Sequence, residues 1–329
     1  METKVKTSGI ENSDLTRKNY MKAIAKMALP YAGLVAAVLF FSIATKGKFL
    51  QMDNLTTLVN QSFTLILAAL GATFIYAHGS LDVSLGSICM MSCISSVLVA
   101  VATQSGLLAF LTCLGVSLVC SLVVAFLSCK LGVVAFVSSL CVSFICQGLA
   151  GEMLDTGEII MPGHIVAVVN QPIVKVIVIV VAIVVCYILF EHTKIGAYNK
   201  AIGGNATAAQ QSGINVHKYK IIAYVISGVL LGISSFFLIC RISAASTTTG
   251  SGLHMDVMLA VILGGMSIRG GPKSNIAAPV IGSLTTYVLS NGFTLMRVDP
   301  YYIQFLQGII FLIIIFCVFD KKKQGALPN

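Results

Sequence analysis

Long apolar runs separated by short polar breaks dominate the chain. Ten stretches are apolar almost without interruption, at about 27–45, 55–77, 84–103, 106–129, 132–150, 172–190, 221–241, 255–266, 274–295 and 301–319. A helix that crosses a bilayer needs about 20 such residues. Nine of the ten stretches have that order of length, and 255–266 is shorter and ends in glycines. β-Barrel strands would alternate polar and apolar at every second residue, and these runs do not. The pattern predicts an all-α polytopic membrane protein with about ten transmembrane helices. A single transmembrane domain then covers 27–319, between polar tails at 1–26 and 320–329.

The longest ordered-looking polar break is the loop 191–220. Within it, Asn205 is a plausible N-cap, Ala206 to Ser212 (ATAAQQS) favours helix, and Gly213 supplies a stop. These residues predict one short helix of small side chains outside the hydrocarbon. Two readings stand for it: a solvated turn between spans, or a helix on which another protein surface docks closely.

Positive charge then orients the chain, because cytoplasmic loops carry an excess of Lys and Arg. With both termini inside, the inner side holds Lys4, Lys6, Arg17, Lys18, Lys22, Lys26, Lys130, Lys194, Lys200, Lys218, Lys220, Arg269, Lys273 and Lys321 to Lys323. The outer side holds only Lys46, Lys48, Lys175, Arg241 and Arg297, five of the 21. A nine-span chain would place one basic tail on the wrong side. The first tail is not read as a signal peptide, since the following span resembles the others. The loop 151–171 falls outside, with Glu152, Asp155 and Glu158, and its apolar run Ile165–Val169 is expected to lie along the outer surface.

Composition agrees: 57% of residues are hydrophobic, 10% are charged, and the mean hydropathy is +0.94. The net charge of +9 is accounted for by orientation, so no nucleic-acid partner is expected. The ten cysteines lie in or at the ends of apolar runs; Cys89 and Cys93, at i,i+4, read as packing residues. Glycine-rich turns at 78–86 and 264–272 suggest a parallel internal repeat relating spans 2–5 to spans 7–10.

Catalytic patterns are not found. Gly270-Gly271-Pro272-Lys273-Ser274 lacks the spacing of a phosphate loop, and Pro272 removes an N–H that a phosphate cradle needs. His78, His164, His192, His217 and His254 are scattered. The chain is expected to be no enzyme and to hold no metal or cofactor. Polar groups inside a bilayer are costly and mark function. Asn60, Gln61, Asp82, Ser84, Gln147, Asp256, Asn291 and Gln304 are the candidates for a translocation path. Asp82 and Asp256, at span starts, have a second reading as helix caps. The amides have a second reading as interhelical bridges. With few charges in the core, a neutral, hydroxyl-rich solute fits better than a phosphate or a metal ion.

Four stretches resemble a known family. AIGGNATAAQQSGINVHKYK (201–220) looks like the coupling-helix region of the membrane subunits of ribose-type sugar ABC importers. HGSLDVSLGSI (78–88) is similar to that family's G-I-D-L-S-V-G segment. SGLHMDVMLAVILGGMSIRGG (251–271) and YYIQFLQGIIFLIIIFCVFDKKK (301–323) are similar to its later glycine-rich segment and its last span. The resemblance implies a permease homodimer in a bacterial cytoplasmic membrane, taking up a monosaccharide by alternating access. It implies an external sugar-binding protein and a separate ATPase that holds ATP and Mg. It implies ATPase docking at Gly203, Gly204, Asn205, Ala208, Ala209, Ser212 and Gly213. Rival readings are an ion-gradient-driven secondary transporter, an integral membrane enzyme, and an ABC permease for nucleosides or a sugar-derived signal.

Overall fold

The computed structural model describes residues 28, 30–154, 157–267 and 269–318. The tails expected at 1–26 and 320–329, and Asp155 of the acidic loop, lie outside the described residues. Every predicted apolar stretch contains a helix. These are α1 (Pro30–Ala44), α2 (Met52–Ala77), α3 (Leu85–Thr103), α4 (Gly106–Cys129) and α5 (Ala135–Met153). After the short α6 (Gly163–Val169) come α7 (Pro172–Tyr187), α8 (Lys194–Gly204), α9 (Ala206–Gln211), α10 (Val216–Ile242), α11 (Leu253–Leu263), α12 (Ala277–Leu295) and α13 (Pro300–Val318). Six of them are long and apolar enough to cross a bilayer: α2, α3, α4, α5, α10, and α7 with the wider turn that extends it to His192. Two residue pairs, Ile159–Ile160 (β1) and Ala244–Ala245 (β2), form a minimal antiparallel ladder.

Helix α10 organises the bundle, because small residues let neighbours approach on two faces. A GxxxG pair, Gly228 and Gly232, meets α4 so closely that Leu114 Cα would stand 2.8 Å from a Cβ at Gly232. The Ser117 hydroxyl donates to the Gly228 carbonyl at 2.8 Å, and Cys113 Sγ to that of Gly232 at 3.4 Å. On the other face Ser234 Oγ donates to Thr64 O at 2.7 Å, and Gly71 packs on Ser227. The pairings 64 with 234 and 71 with 227 make α2 and α10 antiparallel. A parallel relation between spans 2–5 and 7–10 would need these two leading spans to run the same way, and this pair does not supply it.

The stretch 255–266 is short, as its length in the sequence indicates. Its helix, α11, has 11 residues and is about 16 Å long, half of a hydrocarbon core. Glycines clamp it to α12, with Gly264 against Ala278 O and Gly282 against Ala260 O leaving no room for a side chain. The predicted surface run becomes α6, whose Ile165 is buried against Gly106. Asn170, at its end, donates to Cys240 O of α10 at 2.8 Å.

Candidate functional site

Two regions carry the chemistry, at different heights in the bundle. The first is the end formed by α8, α9 and the start of α10. Thr193 caps α8 by accepting the N–H of Ile195 at 3.1 Å. Asn205 Oδ1 caps α9 by accepting the N–H of Ala208 at 3.0 Å, the cap expected from the sequence. Gly213 ends α9 with φ +83°, a left-handed conformation that suits glycine. Asn215 opens α10 by accepting from Lys218 N at 3.0 Å.

Four contacts root this end in the bundle. Tyr198 of α8 meets Tyr219 of α10 edge to face at 4.6 Å. Phe190 meets Phe74 of α2 at 5.1 Å, and Lys200 bridges to Glu191 at 2.6 Å. Gly203 sits against the Ala77 carbonyl, and a Cβ there would lie 2.6 Å from Gly271 N. The Gly271 N–H in turn donates to that same Ala77 carbonyl at 2.9 Å.

The expected docking residues therefore divide. Gly204, Asn205, Ala208, Ser212 and Gly213 are exposed. Ala209 is buried at 5% exposure and turns into the bundle, and Gly203 is occupied by Ala77 and Gly271. Both positions pack the helix against its neighbours.

The second region lies where α3 and α11 begin. Asp82 is buried, and its Oδ1 accepts the N–H and the hydroxyl of Ser84 at 2.8 and 2.5 Å. It thus fixes the N-cap residue of α3, as a cap-like role requires, while Oδ2 has no protein partner. Burial raises the carboxyl pKa against the lowering effect of these bonds. In the same connection His78 is buried beside Tyr224, and burial with nearby Lys220 pushes its pKa down to about 3.

Just above, Ser87 of α3, Ser143 and Gln147 of α5 form a triad. The two hydroxyls are 2.6 Å apart, and Gln147 Nε2 donates to them at 3.0 and 3.1 Å. The serines escaped the sequence reading, although Ser139, Ser143 and Gln147 recur at i, i+4 and i+8 on one helix face. Gly86 packs on Gly250, whose carbonyl would stand 2.7 Å from a Cβ, and on the His254 ring. Asp256 is half-buried in the first turn of α11, with no capping bond at that end.

The remaining path candidates are placed elsewhere. Asn291 is paired with Asn54, Asn60 accepts from Lys175 Nζ at 2.9 Å, and Gln61 is half-buried in α2. The Asn291–Asn54 pair bridges α12 and α2, the second reading given for these amides. Gln304 lies on α13, its side chain outside the described residues. Positive residues separate to the two ends, with Lys130, Lys194, Lys200, Lys218, Lys220, Arg269 and Lys273 at the α9 end and Lys175 and Arg241 at the other.

A sequence family described as "Branched-chain amino acid transport system / permease component" matches residues 54–315. Ribose import permease protein RbsC of Bacillus subtilis (strain 168) is 31% identical over 310 residues, 90% of this chain and 93% of that protein. RbsC of Escherichia coli (strain K12) is 39% identical over 136 residues, and that match spans 41% of each chain. Xylose transport system permease protein XylH of Haemophilus influenzae is 34% identical over 149 residues, 45% of this chain and 40% of that protein. No solved structure matches the chain.

Proposed function

The chain belongs to the permease family of ribose-type ABC importers, and on that premise we propose that it is the membrane-spanning subunit of a sugar importer. Its solute is a monosaccharide or a similar small, neutral, hydroxyl-rich molecule. It works as one of two identical copies. A cytoplasmic ATPase docks on the exposed flank of α9, at Gly204, Asn205, Ala208, Ser212 and Gly213. An external binding protein delivers the solute to the opposite end. The ATPase subunit holds ATP and Mg and supplies the energy.

The observation that carries this reading is the division of the α8–α9 element. One flank of small residues is free, and the other is locked to α2, α10 and the 270–271 turn. A push on the free flank moves the ends of spans on both sides of the bundle, which is what switching between outward-open and inward-open states requires. The solute class rests on the hydroxyl and amide groups of the second region and on the names of the relatives.

The test is reconstitution of the chain with its ATPase and binding protein in proteoliposomes, assayed with ribose, xylose, a hexose and a nucleoside. ATP-dependent accumulation of a sugar supports the proposal. Uptake that persists without ATP and collapses with an ionophore overturns it in favour of a gradient-driven carrier.

A further inference from the structure

We propose that the irregular segment 246–251, which dips into the membrane ahead of α11, forms a polar wall that the solute touches midway through the bilayer. The proposal rests on the transport reading and adds the place of contact.

The depth follows from three contacts. The ladder of β1 and β2 sits at the end of α10, where Met161 N also donates to Ser243 O at 2.9 Å. Cys93 Sγ donates to Ser235 O at 3.3 Å, which sets the height of α3 against α10. Gly250 packs on Gly86 and Cys89, one to two turns deeper still, and its φ of +74° there suits glycine. Eight residues of α10 and one turn of α3 place Gly250 about 18 Å below the end of α10 at Ser243. The segment turns twice, with Thr249 N donating to Ser246 O and Ser251 N to Thr248 O. Its Gly250 contact with Gly86 therefore lies near the middle of the hydrocarbon, before α11 begins.

Non-helical backbone at that depth is tolerated only when buried in protein or lining a water-filled cavity. Thr247, Thr248 and Ser251 are exposed, so burial in this subunit does not account for them. The segment is held by its own bonds: Ser246 N to Thr249 Oγ1 at 2.9 Å, Ser246 Oγ with Thr248 Oγ1 at 2.9 Å, and Ser251 N to Thr248 O at 3.0 Å. At the same height, next to Gly86, stands the triad of Ser87, Ser143 and the exposed Gln147. Hydroxyls and amides that both donate and accept, without net charge, match a polyhydroxylated neutral solute.

The test uses the whole complex in proteoliposomes with the exposed Cys141 changed to Ser. Thr248→Cys and Ser251→Cys are each treated with a membrane-impermeant trimethylammonium methanethiosulfonate. Val180→Cys, on the lipid-facing side of α7, is the control. Both path thiols are expected to react roughly tenfold faster than the control, because thiol reactivity follows exposure to water. Excess of the transported sugar slows their reaction, and labelling blocks uptake. Path thiols no faster than Val180→Cys overturn the proposal even where a sugar is carried. Reactive thiols in a complex that carries no sugar leave the wall in place and remove the sugar reading instead.

Discussion

Asn54 and Asn291 exchange two hydrogen bonds across the interface of α2 and α12, at 2.9 and 2.8 Å. The second amide hydrogen of Asn54 goes to Phe49 O at 2.8 Å, so the pair closes locally and leaves little for a passing solute. Asn291→Ala is expected to lower stability by roughly 1 kcal/mol, the scale of polar bridges between membrane helices. Thermal unfolding in detergent, with the Asn54→Ala cycle, measures the coupling. Sugar uptake by the folded fraction should stay at the wild-type level; its loss would return Asn291 to the path.

Glutamate at neighbouring positions of α9 separates docking from packing. Ala208→Glu, on the exposed flank, is expected to abolish ATPase co-purification while the melting temperature is unchanged. Ala209→Glu puts a charge into a site only 5% exposed, and should lower stability by several kcal/mol, on the order expected for burying an unpaired charge. Equal behaviour of the two variants would mean that the flank is not a docking surface.

A methyl group at Gly203 has nowhere to go, because the Ala77 carbonyl and Gly271 N occupy its place. Gly203→Ala is expected to cost roughly 1–3 kcal/mol, as overpacking does. It should also lower uptake per ATP hydrolysed. Gly115→Ala, with nothing within 4 Å of the new Cβ, serves as the neutral control. Paired melting curves and coupled uptake assays check both.

His78 gives a pH signature. Its imidazole titrates near 6.5 when unfolded and is pushed down to about 3 in the fold, so protons favour the unfolded chain. Stability should fall as pH drops below the unfolded value, and between pH 7 and 5 the loss from this one group is roughly 2 kcal/mol. His78→Phe should flatten that part of the pH dependence. Unfolding midpoints of both proteins across the range test the assignment.

Much of this was legible in the residues, for identifiable reasons. Apolar runs locate helices because a bilayer accepts little else, and Asn205 and Gly213 bracket α9 because capping chemistry is local. Which way Ala209 faces was not legible, since a six-residue helix is too short to show a periodic face. Asn291 has two solutions in any apolar run, and only its distant partner Asn54 decides. The segment 246–251 reads in sequence as an external loop; its depth emerges only when Gly250 is seen against Gly86. The serines of the α3–α5 triad were overlooked because single hydroxyls in membrane helices usually bond their own backbone, as Thr73 does to Ala69 O.

The meeting of Ala77, Gly203 and Gly271 has one more consequence. Segments from the early, middle and late parts of the chain share a joint with no slack, since neither a side chain nor a gap separates them. If an ATPase docks on α9 as proposed, its stroke would displace all three together or none of them. Such a joint suits an all-or-nothing valve, in which an incomplete stroke leaves the passage shut and the membrane does not leak.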